Sequence, residues 1–254
     1  RQPGYSVVTL NLPLGDLSSR QMFQLVDIVR EYVGDNVRTT VEQNMVLRWV
    51  SNTDLPKIYA ALNAIGLADP GAGTIIDITT CPGTDTCKLG IASSRGLTDE
   101  LRNRLIEKSA NLPEAIKDLK IKVSGCFNSC GQHHIADIGF FGNSRRSGNH
   151  KVPHFQVILG GQWDDNAGSF GLAVGAVPAK TVPDVLDTIT DRYVRDRERG
   201  ERFQDWAQRL GRKAIKTMLE PYMNLPTIEE QPDYFTDWGD SRVYTIGDIG
   251  VGEC

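Results

Sequence analysis

Cysteine is scarce and unevenly placed: the chain has five, and none falls in its first eighty residues. Long apolar runs are missing too. No stretch of about 18 unbroken apolar residues occurs, which excludes a membrane-crossing helix of ordinary length. Blocks of like charge are absent as well. The net charge of −4 is mild and no segment forms a long basic run, which argues against general nucleic-acid binding. The arginines of "DRYVRDRERGERF" (191–203) alternate with acids and read as a solvated helix face, with a docking patch for an acidic partner as the other option. There is no repeat of 20–50 residues and no low-complexity tract. The opening "RQPGYSVV" has no signal-peptide core and no initiator Met, and reads as a mid-chain cut or a processed start.

What is present is ordinary for a globular protein of 254 residues, with 40% apolar and 24% charged side chains. That length supports one large domain or two modest ones. Without a secretory segment, the few thiols point to a reducing, cytoplasmic setting, where paired cysteines more often bind metal than form disulfides.

The first eighty residues alternate in texture. "YSVVTLNLP" (5–13) reads as a strand. "SSRQMFQLVDIVREYVG" (18–34) has helical apolar spacing, with Ser18 or Ser19 as cap and Gly34 as stop. Strand-like residues fill 36–50. A helix follows over 54–67, with Asp54 as cap and Pro56 in its first turn, then a short strand over 73–80. This succession predicts an α/β sandwich of ferredoxin-like shape, an α+β arrangement, over residues 1–72.

A mixed α/β region is expected from 73 to 220. It should hold a helix over 98–109 capped by Thr98, strands at 119–124, 135–142 and 153–159, a glycine-rich stretch at 160–180, and helices over 182–200 and 202–219. Residues 221–254 should form a tail packed on that domain.

The chemistry concentrates in two segments, "CPGTDTCKLG" (81–90) and "CFNSCGQHH" (126–134). Cys81 and Cys87 are separated by five residues, Cys126 and Cys130 by three, and 38 residues lie between the pairs. Four thiolates from two segments fit a tetrahedral sulfur site, either zinc or an iron–sulfur cluster. Structural zinc favours tighter knuckles, because both sulfurs must reach one small ion. The wider spacing favours the four corners of a 4Fe–4S cubane. Pro82 and Gly83 beside the first cysteine, with Gly125 and Gly131 around the second pair, suggest close backbone approach to a bulky cofactor. Cys254 stands apart as a spare thiol.

"CPGTDTC" followed by "GCFNSCG" resembles the Cys-x5-Cys … Cys-x3-Cys signature of sirohaem-containing nitrite and sulfite reductases, and "NVRTTVEQNMVLRWV" (36–50) resembles the Arg-x-Thr … Gln-Asn strand of that family's repeat. The resemblance runs from Gly4 to about Leu219. It implies that Cys81, Cys87, Cys126 and Cys130 hold a 4Fe–4S cluster, that Cys130 bridges to the iron of sirohaem, and that Asn128 touches the cofactors. It also implies multi-electron reduction of nitrite to ammonia or sulfite to sulfide, with ferredoxin or a similar one-electron donor. Non-enzymatic electron transfer and a zinc domain are the alternatives.

Members of that family are usually about twice as long, and this chain matches their second half. The expected partners are therefore the N-terminal half of the same enzyme and a small anion, or another copy of the chain in place of that half; no nucleic acid and no membrane are expected. No catalytic acid or substrate-binding arginine carries over. Arg38, Lys88, Arg95, Arg145, Arg146 and Lys151 could pair with haem carboxylates, but each reads first as a surface cation. His133 and His134 invite a proton-delivery role, though structural hydrogen bonding is the leading reading. His150 and His154 read as surface or strand residues.

Overall fold

The computed structural model describes residues 2–34, 36–164 and 168–246. The chain forms two compact units, 1–77 and 78–254.

In the first unit, β1 (Tyr5–Leu10), β3 (Met45–Ser51) and β2 (Val37–Thr39) form an antiparallel sheet in the order β1-β3-β2. Two helices complete it, α1 (Ser19–Tyr32) and α2 (Leu55–Ala64). Helix α1 begins where the sequence places its cap. The Ser18 hydroxyl accepts the Gln21 N–H while the Gln21 side chain accepts the Ser18 N–H, a reciprocal capping box. Gly34, at φ +78°, ends it. Leu25, Ile28 and Val29 from this helix meet Leu10, Leu47, Val50, Ile58 and Leu62 in one core.

Three expectations change here. Residues 36–50 are a hairpin rather than one strand, because the chain turns between Thr40 and Asn44 with Gln43 in the left-handed region at φ +65°. Asp54 makes no side-chain cap on α2; its carboxylate meets Lys57 at 3.4 Å instead. Most of 73–80 is not a strand. Asp77 is a hub there, accepting from Asn11 Nδ2 (2.9 Å), Asn44 Nδ2 (2.8 Å) and the Gly73 N–H (2.7 Å). Asn44, from the Gln-Asn pair singled out in the sequence, is buried and also takes the Leu12 N–H at 2.9 Å. It joins the ends of β1 and β3 to this hub.

The second unit is built on a five-stranded mixed sheet in the order β4 (Thr79–Thr80), β5 (Ile121–Ser124), β6 (Ile138–Ser147), β7 (His150–Leu159) and β8 (Leu172–Pro178). The first three strands are parallel and the last three antiparallel. All four residues of β5 are buried, as expected of a parallel strand covered on both faces. The β6–β7 hairpin turns on two residues beginning with Gly148 at φ +57°, a sign suited to tight hairpins.

Helix α3 (Ser94–Glu107) packs on β5 and α5 (Phe203–Leu219) on β8, with α4 (Val182–Asp196) between α3 and α5. Gly211, at φ +77°, breaks α5, so 202–219 holds two helical pieces. Helix α3 starts four residues earlier than the sequence suggests. Its cap is Ser93, whose hydroxyl accepts the Gly96 N–H, and Thr98 is buried inside it. No helix among the described residues is long and apolar enough to cross a membrane.

Candidate functional site

The parallel pairing of β4 with β5 brings the two cysteine segments together. Thr80 lies opposite Val123, and the Cys81 N–H donates to the Val123 carbonyl at 3.2 Å. Cys81 and the Gly125–Cys126 step therefore leave the same end of the sheet side by side. Cys87 follows a short 3-10 turn and donates its N–H to Gly83 O at 3.0 Å. All four are free thiols; Cys81 and Cys126 are buried, Cys87 half-buried and Cys130 exposed.

The β4–β5 pairing and the Gly125 N–H on Cys81 Sγ set the two cysteine segments side by side. Burial pushes the Cys126 thiol above its ordinary range, the Asn128 N–H pulls the other way, and Cys81, Cys87 and Cys130 each add repulsion. Backbone donors already face the sulfurs. The Gly125 N–H reaches Cys81 Sγ at 3.1 Å and the Leu89 N–H reaches Cys87 Sγ at 3.3 Å. Among the described residues, no three His, Cys, Asp or Glu side chains gather as closely as a single metal ion requires. Four soft sulfurs on two adjoining segments, two of them already facing backbone N–H donors, suit the four metal corners of a 4Fe–4S cubane.

The glycines serve the pocket differently from the expectation. A Cβ on Gly125 would lie 2.6 Å from Gly83 Cα and 2.9 Å from Ala92 O, and one on Gly142 would lie 2.1 Å from Gly125 O. A Cβ on Gly131 would lie 2.2 Å from Val123 O. These residues let main chain stack on main chain, and so build the wall that carries the cysteines.

Cys130 sits in a tightly held turn. The Gln132 N–H closes on Ser129 O at 2.8 Å, and the Gly131 N–H donates to Ser124 Oγ at 3.1 Å. Ser129 and Gln132 both have φ of +61°, which non-glycine residues rarely adopt. Ser129 Oγ and His134 Nδ1 share a short hydrogen bond. Asn128 is exposed beside this turn.

The other sequence candidates scatter. Arg38 is exposed on β2, in the first unit. Lys88 is exposed beside Cys87, and Arg95 pairs with Asp85 at 2.9 Å. Arg145 and Arg146 are exposed near the tip of the β6–β7 hairpin, with Lys151 opposite Arg146. His150 meets the Phe235 ring edge-on, with centroids 5.8 Å apart. His154 is buried with Nδ1 2.9 Å from Val152 O, and His133 is buried against Phe141. Cys254 lies outside the described residues.

One contributor had little sequence signal beyond its aromatics and prolines. Residues 232–244 strap the loop between Cys87 and α3. Asp237 accepts the Ser93 N–H at 2.8 Å, and Tyr244 donates its hydroxyl to Ile91 O at 2.5 Å. The Ile91 and Ala92 N–H groups in turn donate to Gly125 O. The strap thus reaches Cys81 through one strand of backbone.

Burial also sets a pH response. It lowers His133 and His154 to about 4 and raises Asp137 to about 6. Each histidine is neutral when folded, so its stability is present above its ordinary value of about 6.5 and is lost as pH falls toward 4. Asp137 acts oppositely: its contribution is full below about 4 and is lost as pH rises through 6. Burial raises Asp237 as well, so two carboxyls oppose the two histidines across this window. Removing one histidine should therefore tilt the balance: His154→Gln should lose less thermal stability than the parent between pH 6.5 and 4, and an equal change in both proteins contradicts this.

Comparison with known proteins adds the following. Residues 71–227 match the family model described as the nitrite and sulphite reductase 4Fe-4S domain, and residues 1–65 match the nitrite/sulfite reductase ferredoxin-like half domain. Sulfite reductase (ferredoxin) 2 of Mycolicibacterium paratuberculosis is 32% identical, over 77% of this chain and 36% of its own length. The assimilatory ferredoxin-dependent nitrite reductase of Haloferax mediterranei is 27% identical, over 86% of this chain and 37% of its own. The solved structure of the Mycobacterium tuberculosis NirA protein superposes with a TM-score of 0.69 at 29% identity, covering 84% of this chain and 39% of that one. The chain thus spans little more than a third of the relatives it matches.

Proposed function

Because the chain belongs to the nitrite and sulphite reductase family, with that family's 4Fe-4S domain and ferredoxin-like half domain, we propose that it is the cofactor-bearing half of a ferredoxin-dependent reductase. Its reaction is the multi-electron reduction of nitrite to ammonia or of sulfite to sulfide. The ferredoxin-like half domain is assigned to 1–72, the cluster and sirohaem domain to 73–220, and the packed tail to 221–254.

Cys81, Cys87, Cys126 and Cys130 would hold the 4Fe–4S cluster, and Cys130 would be the residue that links it to the sirohaem. The observation that carries this reading is the convergence of the two cysteine segments where β4 pairs with β5, with the Gly125 N–H on Cys81 Sγ and each thiol at a position the family motif specifies. When bound, the cluster and sirohaem supply stored electrons and the iron at which the anion is reduced. The chain's own part is orientation and shielding. The Gly125, Leu89 and Asn128 N–H groups face three of the sulfurs, where they would stabilise the negative charge of a bound cluster. Cys130 stands exposed with Asn128 and Phe127, where a macrocycle can approach.

The remainder of the enzyme supplies the groups that grip the anion and the sirohaem carboxylates, since the family motif carries no such side chain over onto this chain. Tyr5, Val7 and Trp49 are exposed on the first unit's sheet, with the Tyr5 and Trp49 rings edge-to-face at 5.8 Å. Such apolar exposure is a place for that other half, or for a second copy when it is absent.

Turnover with reduced ferredoxin tests this. The full-length enzyme replete in both cofactors should reduce nitrite or sulfite and show sirohaem absorption bands. A protein with cluster absorption alone and no turnover of either anion would instead be an electron-transfer module.

A further inference from the structure

We propose that His134 is a positioning residue that sets the direction of the Cys130 thiol by holding Ser129 in its left-handed conformation. Ser129 precedes Cys130, so its φ of +61° decides how the following peptide, and with it Sγ, leaves the turn. Serine is strained in that region, and a side-chain anchor is the ordinary means of keeping it there.

The anchor is the hydrogen bond between Ser129 Oγ and His134 Nδ1. His134 is itself fixed from the opposite side. Its carbonyl accepts the Gly171 N–H at 2.8 Å, and its ring meets the Phe170 ring edge-on with centroids 4.3 Å apart. Lys122, buried in β5, holds the far end of the turn by donating to Gln132 Oε1 at 3.2 Å. The turn that presents Cys130 is therefore gripped at both ends, and His134 connects its ligand end to the stretch before β8. This role rests on the reading of Cys130 as the shared ligand.

The test has two arms. In the metal-free full chain, alkylation of Cys130 by iodoacetamide is timed under native conditions by mass mapping. His134→Ala should change that rate several-fold with the thermal midpoint retained. His134→Asn, which carries a polar atom as many bonds from the backbone as Nδ1, should restore it. On a Ser129→Gly background, where φ +61° costs nothing, His134→Ala should have no further effect.

In the full-length enzyme with cluster reconstituted, the electron paramagnetic resonance signal of the reduced cluster should differ for His134→Ala and return for His134→Asn. If His134→Ala fails to fold, Ser129→Ala removes the same bond from the other end and must give the same change. A His134→Ala rate equal to the parent's, or equal effects of His134→Ala with and without Ser129→Gly, overturns the proposal. The alkylation arm needs no iron, so it stands even where the parent chain fails to assemble a cluster, a failure that would count against the ligand assignment alone.

Discussion

Cys130→Ser in the intact enzyme should cut nitrite or sulfite reduction by about a hundredfold or more, while stability stays near that of the parent. Loss of groups merely supporting a metal ligand costs about 10–100-fold, and a shared ligand must cost at least that. Serine offers a hard oxygen where soft iron prefers sulfur. Because Cys130 is exposed, its replacement opens no cavity and buries no new polar atom. Cys126→Ser separates the two roles. That thiol is buried, so the variant should lose the cluster and also about 1–3 kcal/mol from a buried hydroxyl. Cofactor content, turnover and denaturant midpoints for the pair check this. Unchanged cofactors and activity in Cys130→Ser would show that the bridge is assigned to the wrong residue.

Gly125→Ala should destabilise the second unit by about 3 kcal/mol and abolish cluster retention, although it adds one methyl group. The new Cβ would have to sit 2.6 Å from Gly83 Cα and 2.9 Å from Ala92 O, distances that backbone atoms cannot share. Relief requires the two cysteine segments to move apart. That same movement withdraws the Gly125 N–H from Cys81 Sγ and the Gly125 carbonyl from the Ile91 and Ala92 N–H groups. A urea titration paired with an iron assay checks both halves of this expectation. Gly148→Ala, in a turn where nothing lies within 4 Å, should cost only the strain of its positive φ and leave iron binding alone.

The site was legible in the sequence where it depends on spacing. Two tight cysteine pairs on either side of a helix and a strand require a parallel crossover to meet, and β4 and β5 provide it. Helix α1 was legible from its apolar spacing between a serine pair and Gly34, and the structure makes Ser18 the cap.

Some misses arise where distant chain segments override local signals, others where a residue other than glycine turns left-handed. Helix α3 runs through Gly96, a poor helix former, four residues ahead of the start the sequence suggests. The structure needs glycine there because Trp238 O lies 2.5 Å from where a Cβ would be. The turn inside 36–50 carries no Gly or Pro, since Gln43 adopts the left-handed conformation itself. Residues 74–77 look like a strand, yet they are spent on a turn that centres Asp77. The Ser129–His134 bond has no sequence signature, because left-handed backbone at a serine is visible only in coordinates.

Anaerobic reconstitution of this chain with iron and sulfide, followed by metal and acid-labile sulfide analysis, bears most directly on the four-thiol pocket. About four irons and four sulfides per chain should be retained, and each of Cys81→Ser, Cys87→Ser and Cys126→Ser should lose them. One tightly held zinc per chain without sulfide, or iron binding indifferent to those three substitutions, would contradict it.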